Sequence, residues 1–248
     1  MRMVYPYVLE QQLSKDENKT YEVINSGVPG YSTFQELRYL QTRGLELKPD
    51  LIVLQFCLND VVERYSSLSQ YGGDNVFLGI DTRQSAQGAV GWLLGHSRAF
   101  EAVTRLLVRL SRNQQEYQVM KLASDTLSPE LKRAWDTVLS EVDGIRELAV
   151  KNGIPLLIVV TPYNFQLDQP RRTNQPQRIL EKYAGEHGVP FVDLLPDFST
   201  FHEMNPQVPL FNDENHFSIQ GHSLAAAVLS KAIETLSAGS QEGRSHDR

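Results

Sequence analysis

Asp213 and His216 stand three residues apart in "LFNDENHFSIQGH", just ahead of a helical pattern. A carboxylate bonded to one imidazole nitrogen fixes the ring's tautomer and leaves the other nitrogen able to take a proton. That is the base half of a hydrolase that works through a nucleophile, and it raises the question of where the nucleophile lies. An isolated Asp-x-x-His pair is more often a hydrated loop. Here Ser218 follows, and a serine that caps the next helix would hold the pair rigid. Such chemistry also needs donors for the oxyanion that develops on the attacked carbonyl. In "INSGVPGYST" the backbone N–H of Gly30, next to a helix start, is one candidate. In "FCLNDV" Asn59 and Asp60 sit at the exit of an apolar run, and an Asn amide is a donor. Both have plain alternatives, because glycine serves tight turns and Asn and Asp are common turn residues.

The remaining reactive side chains have simpler readings. His187 ends a helix in "EHGVP", where a cation suits the helix dipole. His222 falls in the first turn of the final helix and is expected at the surface. His96, His202 and His246 lack companions at metal-ligand spacing. Cys57, on an apolar strand, reads as a small buried side chain. Ser26 and Ser32 flank the Gly30 turn, but neither stands in a Gly-x-Ser-x-Gly elbow, and Ser32 reads as a cap or turn residue.

The elements that would carry these residues alternate in type. Val4, Val8, Leu9 and Leu13 mark a first helix. "YEVIN" is a short β-prone run that ends in a Gly/Pro turn. Thr33 as N-cap and Glu36 as its capping-box partner start a helix with Phe34, Leu37, Leu40 and Leu45 along one face. "KPDLIVLQFCLND" and "IPLLIVVTPYN" are continuous apolar runs, the pattern of strands buried on both faces. Between them, periodicity fades over 61–91, a surface excursion over a pocket. Two helical patterns follow, over 92–111 and 128–153. The second carries a stripe of Trp135, Val138, Leu139, Val142, Ile145, Leu148 and Ala149, with Gly153 as its cap. A helix over 174–188, a strand "VPFVDLL" and a last helix from Ser218, burying Ala225, Val228, Leu229, Ala232, Ile233 and Leu236, complete the order.

Alternating strands and helices imply an α/β fold with a parallel sheet, whose ligands bind beyond the carboxyl ends of the strands. "NSGVPG", "CLND", "TPYN" and "DENH" all fall at such ends or in the loop before the last helix. One domain is expected over 1–237, with 61–127 as a loop and helical excursion and 238–248 as a disordered tail. A length of 248 residues suffices for a sizeable core, and 41% apolar with 22% charged residues is a globular composition. The net charge of −6 argues against a nucleic-acid partner. No apolar run is long enough to span a membrane and no signal peptide is visible, which leaves the location open. One cysteine excludes an internal disulfide.

"NSGVPGYST", "CLND" and "DENH", in this order and at these strand ends, resemble the second, third and fifth sequence blocks of the SGNH (GDSL-type) hydrolases. The resemblance runs from about residue 5 to 236. It implies a flavodoxin-like α/β/α sandwich and hydrolysis of acyl or acetyl esters of small molecules, carbohydrates or lipids, without metal or other cofactor. Carried onto matching positions, it implies Gly30 and Asn59 as oxyanion donors, His216 as general base and Asp213 as its orienting partner. Two departures stand out. Cys57 occupies the usual glycine position of the third block. The first block, Gly-Asp-Ser, which carries the nucleophile ahead of the helix that "VYPYVLEQQL" resembles, is absent.

In a flavodoxin-like sheet the first strand is central, between the second and third. Without it "YEVIN" and "LIVLQF" would flank an empty slot, and unpaired buried backbone groups cost about 1–3 kcal/mol each, against a domain stability of roughly 5–15 kcal/mol. The two strands pair directly, another segment fills the slot, or the chain's start is too late. The third is the expectation, which makes this an N-terminally truncated esterase. The alternatives are a catalytically inactive SGNH-like binding module and a metal-dependent phosphoesterase built on Asn59, Asp60, Asp213 and His216.

Overall fold

The computed structural model describes residues 4–15, 20–62, 76–77, 80–81, 123, 127–168 and 174–245. The helices are α1 (Tyr5–Leu13), α2 (Thr33–Thr42), α3 (Asn59–Val62), α4 (Pro129–Lys151), α5 (Gln175–His187), α6 (Leu195–Met204) and α7 (Ile219–Ser245). The strands are β1 (Ile52–Phe56), β2 (Val76–Phe77), β3 (Ile80–Asp81), β4 (Leu156–Val160) and β5 (Phe191–Asp193). The chain forms two compact units. The first takes Met1–Gly27, Lys48–Cys57 and Ala149–Arg248, the second Val28–Leu47 and Leu58–Leu148.

The first unit is built on a parallel sheet in the order β1-β4-β5. β4 sits in the middle. Its register runs from Ile52↔Leu156 to Phe56↔Val160 on one side and from Ile158↔Phe191 to Val160↔Asp193 on the other. All five β4 residues are buried. Successive strand side chains point to opposite faces. Leu157 and Val159 therefore share one face, where they join a core with Leu9 and Leu13 of α1 and with Ala225, Ala226, Leu229 and Ile233 of α7. Leu156, Ile158 and Val160 face the other way and are buried as well. A strand covered on both faces reads as an unbroken apolar run, which is why "PLLIVV" shows no alternation. The observed architecture is the α/β fold with a parallel sheet expected from the alternation of elements.

In the second unit, α2 packs on α4 at Gly144. A Cβ there would lie 2.9 Å from Leu37 Cδ2, so the absence of a side chain sets the approach of the two helices. The α4 stripe is as expected, with Trp135, Val138, Val142 and Ile145 buried. Past the end of α4, Gly153 takes φ +67°, and the Ile154 N–H turns back to the Ala149 carbonyl at 2.9 Å. This is the left-handed closure that glycine makes cheap.

Several expectations are corrected. "YEVIN" is no strand. Among the described residues nothing pairs with it, and the Val23 N–H donates instead to Glu10 Oε2 at 2.8 Å. A β-prone run becomes a strand only where a neighbour offers a ladder. Direct pairing of "YEVIN" with β1 is therefore not what the chain does, and among the described residues the outer edge of β1 has no partner strand. The cap of α2 is Ser32, not Thr33. Gln35, not Glu36, closes the capping box by accepting the Ser32 backbone N–H at 3.0 Å, and the Ser32 hydroxyl also meets that Gln35 oxygen. α6 was not expected. Asp193 Oδ1 accepts the Leu195 N–H at 2.9 Å and Pro196 stands in the first turn, so its start is encoded locally. α7 continues to Ser245, into the stretch expected to be disordered from 238 onward. Extending an existing helix fixes one residue per hydrogen bond, which is far easier than nucleating one. Within the 61–91 excursion the described part is Val61–Val62 and an antiparallel ribbon of β2 and β3. The rest of it, the helix expected over 92–111, His96 and His246 lie outside the described residues.

Asp193 ends β5 with its carboxyl mostly buried. Burial pushes its pKa up, the Leu195 N–H pulls it down, and Glu181 and Asp197 add to the rise, with a net value of about 6. An acid whose folded pKa is raised stabilises the fold fully below its unfolded value of 3.8 and loses that contribution as pH climbs through about 6. Asp193→Asn keeps an acceptor for the Leu195 N–H and cannot ionise. It is expected to be more stable than the parent by about 1–3 kcal/mol at pH 8, with the gap closing by pH 4. Thermal melts across that range check this, and a gap that does not grow with pH removes the explanation.

Candidate active site

The acid–imidazole pair sits on a short loop that closes on itself. Phe211 and Phe217 form an antiparallel bridge. The Asn212 N–H donates to the His216 carbonyl at 2.8 Å, and Asn212 Nδ2 donates to the Phe217 carbonyl at 2.9 Å. Beneath the bridge, the rings of Phe198, Phe211 and Phe217 form a triangle with centroids 5.0 to 5.8 Å apart. Such tilted aromatic contacts add about 0.5–1.5 kcal/mol each beyond the area they bury. Three apolar rings below thus allow a polar loop above.

At the tip, one carboxylate organises the turn and the ring together. Asp213 Oδ1 accepts the N–H groups of Asn215 (3.1 Å) and His216 (2.9 Å). His216 Nδ1 lies 2.8 Å from Asp213 Oδ2 and 3.0 Å from Oδ1. Partial burial pushes the Asp213 pKa up. The bonds from the His216 backbone, the His216 ring and the Asn215 N–H outweigh it and hold the carboxyl below its ordinary value. Asp213 is therefore ionised at neutral pH and can only accept, so His216 Nδ1 carries the hydrogen. The His216 side chain is 75% exposed, and among the described residues Nε2 has no partner. A bare imidazole nitrogen held at a fixed angle to solvent is what a general base requires.

The downstream end of the loop is fastened to α7. The Ser218 N–H donates to the Leu210 carbonyl at 2.9 Å and the Ser218 hydroxyl to the Pro209 carbonyl at 2.6 Å. Ser218 Oγ also accepts the Gly221 N–H at 3.1 Å, which makes it the N-cap foreseen from the sequence. The loop after β4 joins in, as the Asn164 N–H donates to the Glu214 carbonyl at 2.8 Å. That tie and the aromatic triangle were missed in the sequence. The phenylalanines are visible there, but their convergence is tertiary. His222, expected at the surface, is half-buried against Tyr5 and Phe217. His187 ends α5 as expected, with Nδ1 bonded to the Tyr183 carbonyl at 2.8 Å and its ring stacked on Tyr183. Cys57 is half-buried rather than fully buried.

The other two candidates belong to the second unit. Gly30 is the third residue of a β-turn in which the Tyr31 N–H donates to the Val28 carbonyl at 3.1 Å. Pro29 precedes it, and φ at Gly30 is +80°, the geometry of a type II turn. Gly30 is exposed, and among the described residues its N–H donates to nothing. A free N–H on a fixed turn can receive an anion. Asn59 opens α3, and its amide is partly buried with Oδ1 unpartnered among the described residues. Asp60 beside it is buried. In the first turn of α2, Thr33 Oγ1 and Glu36 Oε2 are also buried without partners among the described residues, and burial pushes Glu36 up to about 7. Ser32 is buried against Gln35, which disfavours it as a nucleophile. Among the described residues, no group of three His, Cys, Asp or Glu side chains is gathered in metal-binding geometry.

A Cβ on Gly221 would lie 2.1 Å from the Leu210 carbonyl oxygen, a backbone atom that cannot swing aside. Gly221→Ala is expected to destabilise the fold by about 2 kcal/mol or more and to loosen the His216 loop. Gly30→Ala meets no atom within 4 Å but inherits the positive φ, so it is expected to cost about 1–2 kcal/mol. Denaturant melts of both variants check the order. An unaffected Gly221→Ala would contradict the close approach.

Comparison with solved structures places two enzymes near this chain. An acetyl xylan esterase aligns with a TM-score of 0.57 at 18% identity, over 93% of this chain and 91% of its own. A gut microbial diltiazem-metabolizing enzyme aligns with a TM-score of 0.52 at 13% identity, over 92% of this chain and 42% of its own. At these identities the likeness is one of fold. A comparison with functionally curated proteins gave no match. The sequence pattern of the GDSL-like Lipase/Acylhydrolase family matches residues 3–224, most of the chain, and the loops described above fall within that span. The chain belongs to the GDSL-like lipase/acylhydrolase family.

Proposed function

We propose that the chain carries the base and oxyanion groups of a serine ester hydrolase acting on acyl or acetyl esters. The observation that carries this reading is the Asp213–His216 pair, with Nδ1 held by the carboxylate and Nε2 bare. Family membership supports the reaction class. In this reading Nε2 removes the proton from a serine hydroxyl as its oxygen attacks the ester carbonyl. The Gly30 N–H and the Asn59 side-chain amide receive the oxyanion. His216 then returns the proton to the departing alcohol. Water, activated by the same nitrogen, releases the acid and restores the serine.

This reading assigns the serine to no residue in the described part of the chain. The Gly-Asp-Ser block is absent from this sequence, no hydroxyl is bonded to His216 Nε2 among the described residues, and Ser32 is tied to Gln35. The fold-level likeness to an acetyl xylan esterase makes acetylated polysaccharide a sensible member of a substrate panel.

The test is expression from the upstream in-frame sequence, assayed on p-nitrophenyl acetate, p-nitrophenyl butyrate and acetylated xylan. The extended protein should hydrolyse at least one of these. His216→Ala should lower kcat by about 10³-fold or more and Asp213→Asn by about 10²–10⁴-fold. Hydrolysis by the extended protein that ignores His216→Ala would sink the assignment of the base, and full activity of the present chain would place the serine within it.

A further inference from the structure

His222 belongs to neither the acid–base pair nor the oxyanion side, yet three elements meet on its ring. Its Nδ1 accepts the backbone N–H of Tyr5 at 3.2 Å, across 217 residues of chain. A backbone N–H can only donate, so Nδ1 is bare and the ring hydrogen sits on Nε2. One face lies along the Tyr5 ring, with centroids 6.4 Å apart and planes 23° from parallel. The Phe217 ring meets it edge-on, with centroids 5.5 Å apart at 83°. The backbone of His222 is fixed too, because its N–H donates to the Ser218 carbonyl at 2.9 Å.

Phe217 follows His216 directly and is one half of the bridge that closes the loop. A group that fixes the Phe217 ring restrains the chain one residue from the base. Tyr5 opens α1, and the first N–H groups of a helix have no partner within it. His222 thus ties the start of α1, the first turn of α7 and the downstream leg of the base loop into one contact.

We propose that His222 is a positioning residue that holds the His216 loop through Phe217 and fastens it to the start of α1 through the Tyr5 N–H. This rests on His216 being the base. Burial lowers the His222 pKa, which favours the neutral ring that acceptance at Nδ1 requires. Two imidazoles six residues apart then hold opposite tautomers, Nδ1–H at His216 and Nε2–H at His222. A residue with a purely space-filling role would not fix the tautomer of its own ring.

Long-range ¹H–¹⁵N spectra of the histidine rings in the full chain test this without any need for turnover. The parent should show the two opposite tautomers. In His222→Leu the His216 signals should move toward the tautomer mixture of a free imidazole. In His222→Asn, which places an amide oxygen near the position of Nδ1, they should return most of the way. An Nδ1–H tautomer at His222, or His216 signals unchanged in a folded His222→Leu, would overturn the proposal. Should His222→Leu fail to fold, Tyr5→Leu keeps the N–H donor and removes the stacked ring. A partial shift at His216 is then expected, and none would overturn the proposal. The spectra do not depend on hydrolysis, so failure of His216 as base would show in the activity assay while the tautomers at His222 stood.

Discussion

The loop that carries His216 depends on how the chain is closed between Leu210 and Ser218. An imidazole that is three-quarters exposed has no packing of its own to hold it. Its angle must come from the backbone beneath it. The closure supplies this in layers: an aromatic triangle, the Phe211–Phe217 bridge, and Asp213, whose Oδ1 accepts from the turn while both its oxygens face the ring. The Asp213 carboxylate is thus structural and chemical at once. Its bonds lower its own pKa, and its charge in turn fixes the tautomer of His216.

Behind the loop stands β4, paired on both edges and covered on both faces. A strand so enclosed has little freedom, and the residues at its carboxyl end inherit that rigidity. Thr161 continues the pairing to Phe56 through both its N–H and its hydroxyl, each at 3.0 Å. Three residues on, Asn164 reaches the base loop. The fixed position of this strand end has a physical reason. The sheet fixes its own edge, and loops that leave the edge start from fixed points.

What could be read in the sequence was what is local. Asp213, His216 and Ser218 interact over three residues, so their spacing alone announces them. The α4 stripe and the Gly153 closure are equally local. The α2 cap moved by one residue because Ser32-Gln35 and Thr33-Glu36 both satisfy the same short pattern, and the hydrogen bonds form at Ser32 and Gln35. "YEVIN" failed for the opposite reason. Its propensity was right for a strand, but a ladder is a property of two segments, and its composition says nothing of the second. His222 was misplaced on similar grounds. A histidine in the first turn of a helix looks exposed until an element from the other end of the chain docks against it. Gly30 and Asn59 were visible as residues, and the structure places one on a type II turn and the other in the first turn of α3 just past β1.

The closure has a consequence for the order in which the molecule assembles. From Pro209 to His222 its hydrogen bonds span no more than nine residues. Its long-range hydrogen bonds run to Asn164 and to Tyr5. A segment with such short-range contacts needs little loop-closure entropy and can form early. His216 would then be set in its turn before α1 meets α7, and the docking of α1 on His222 would come as a late, locking step.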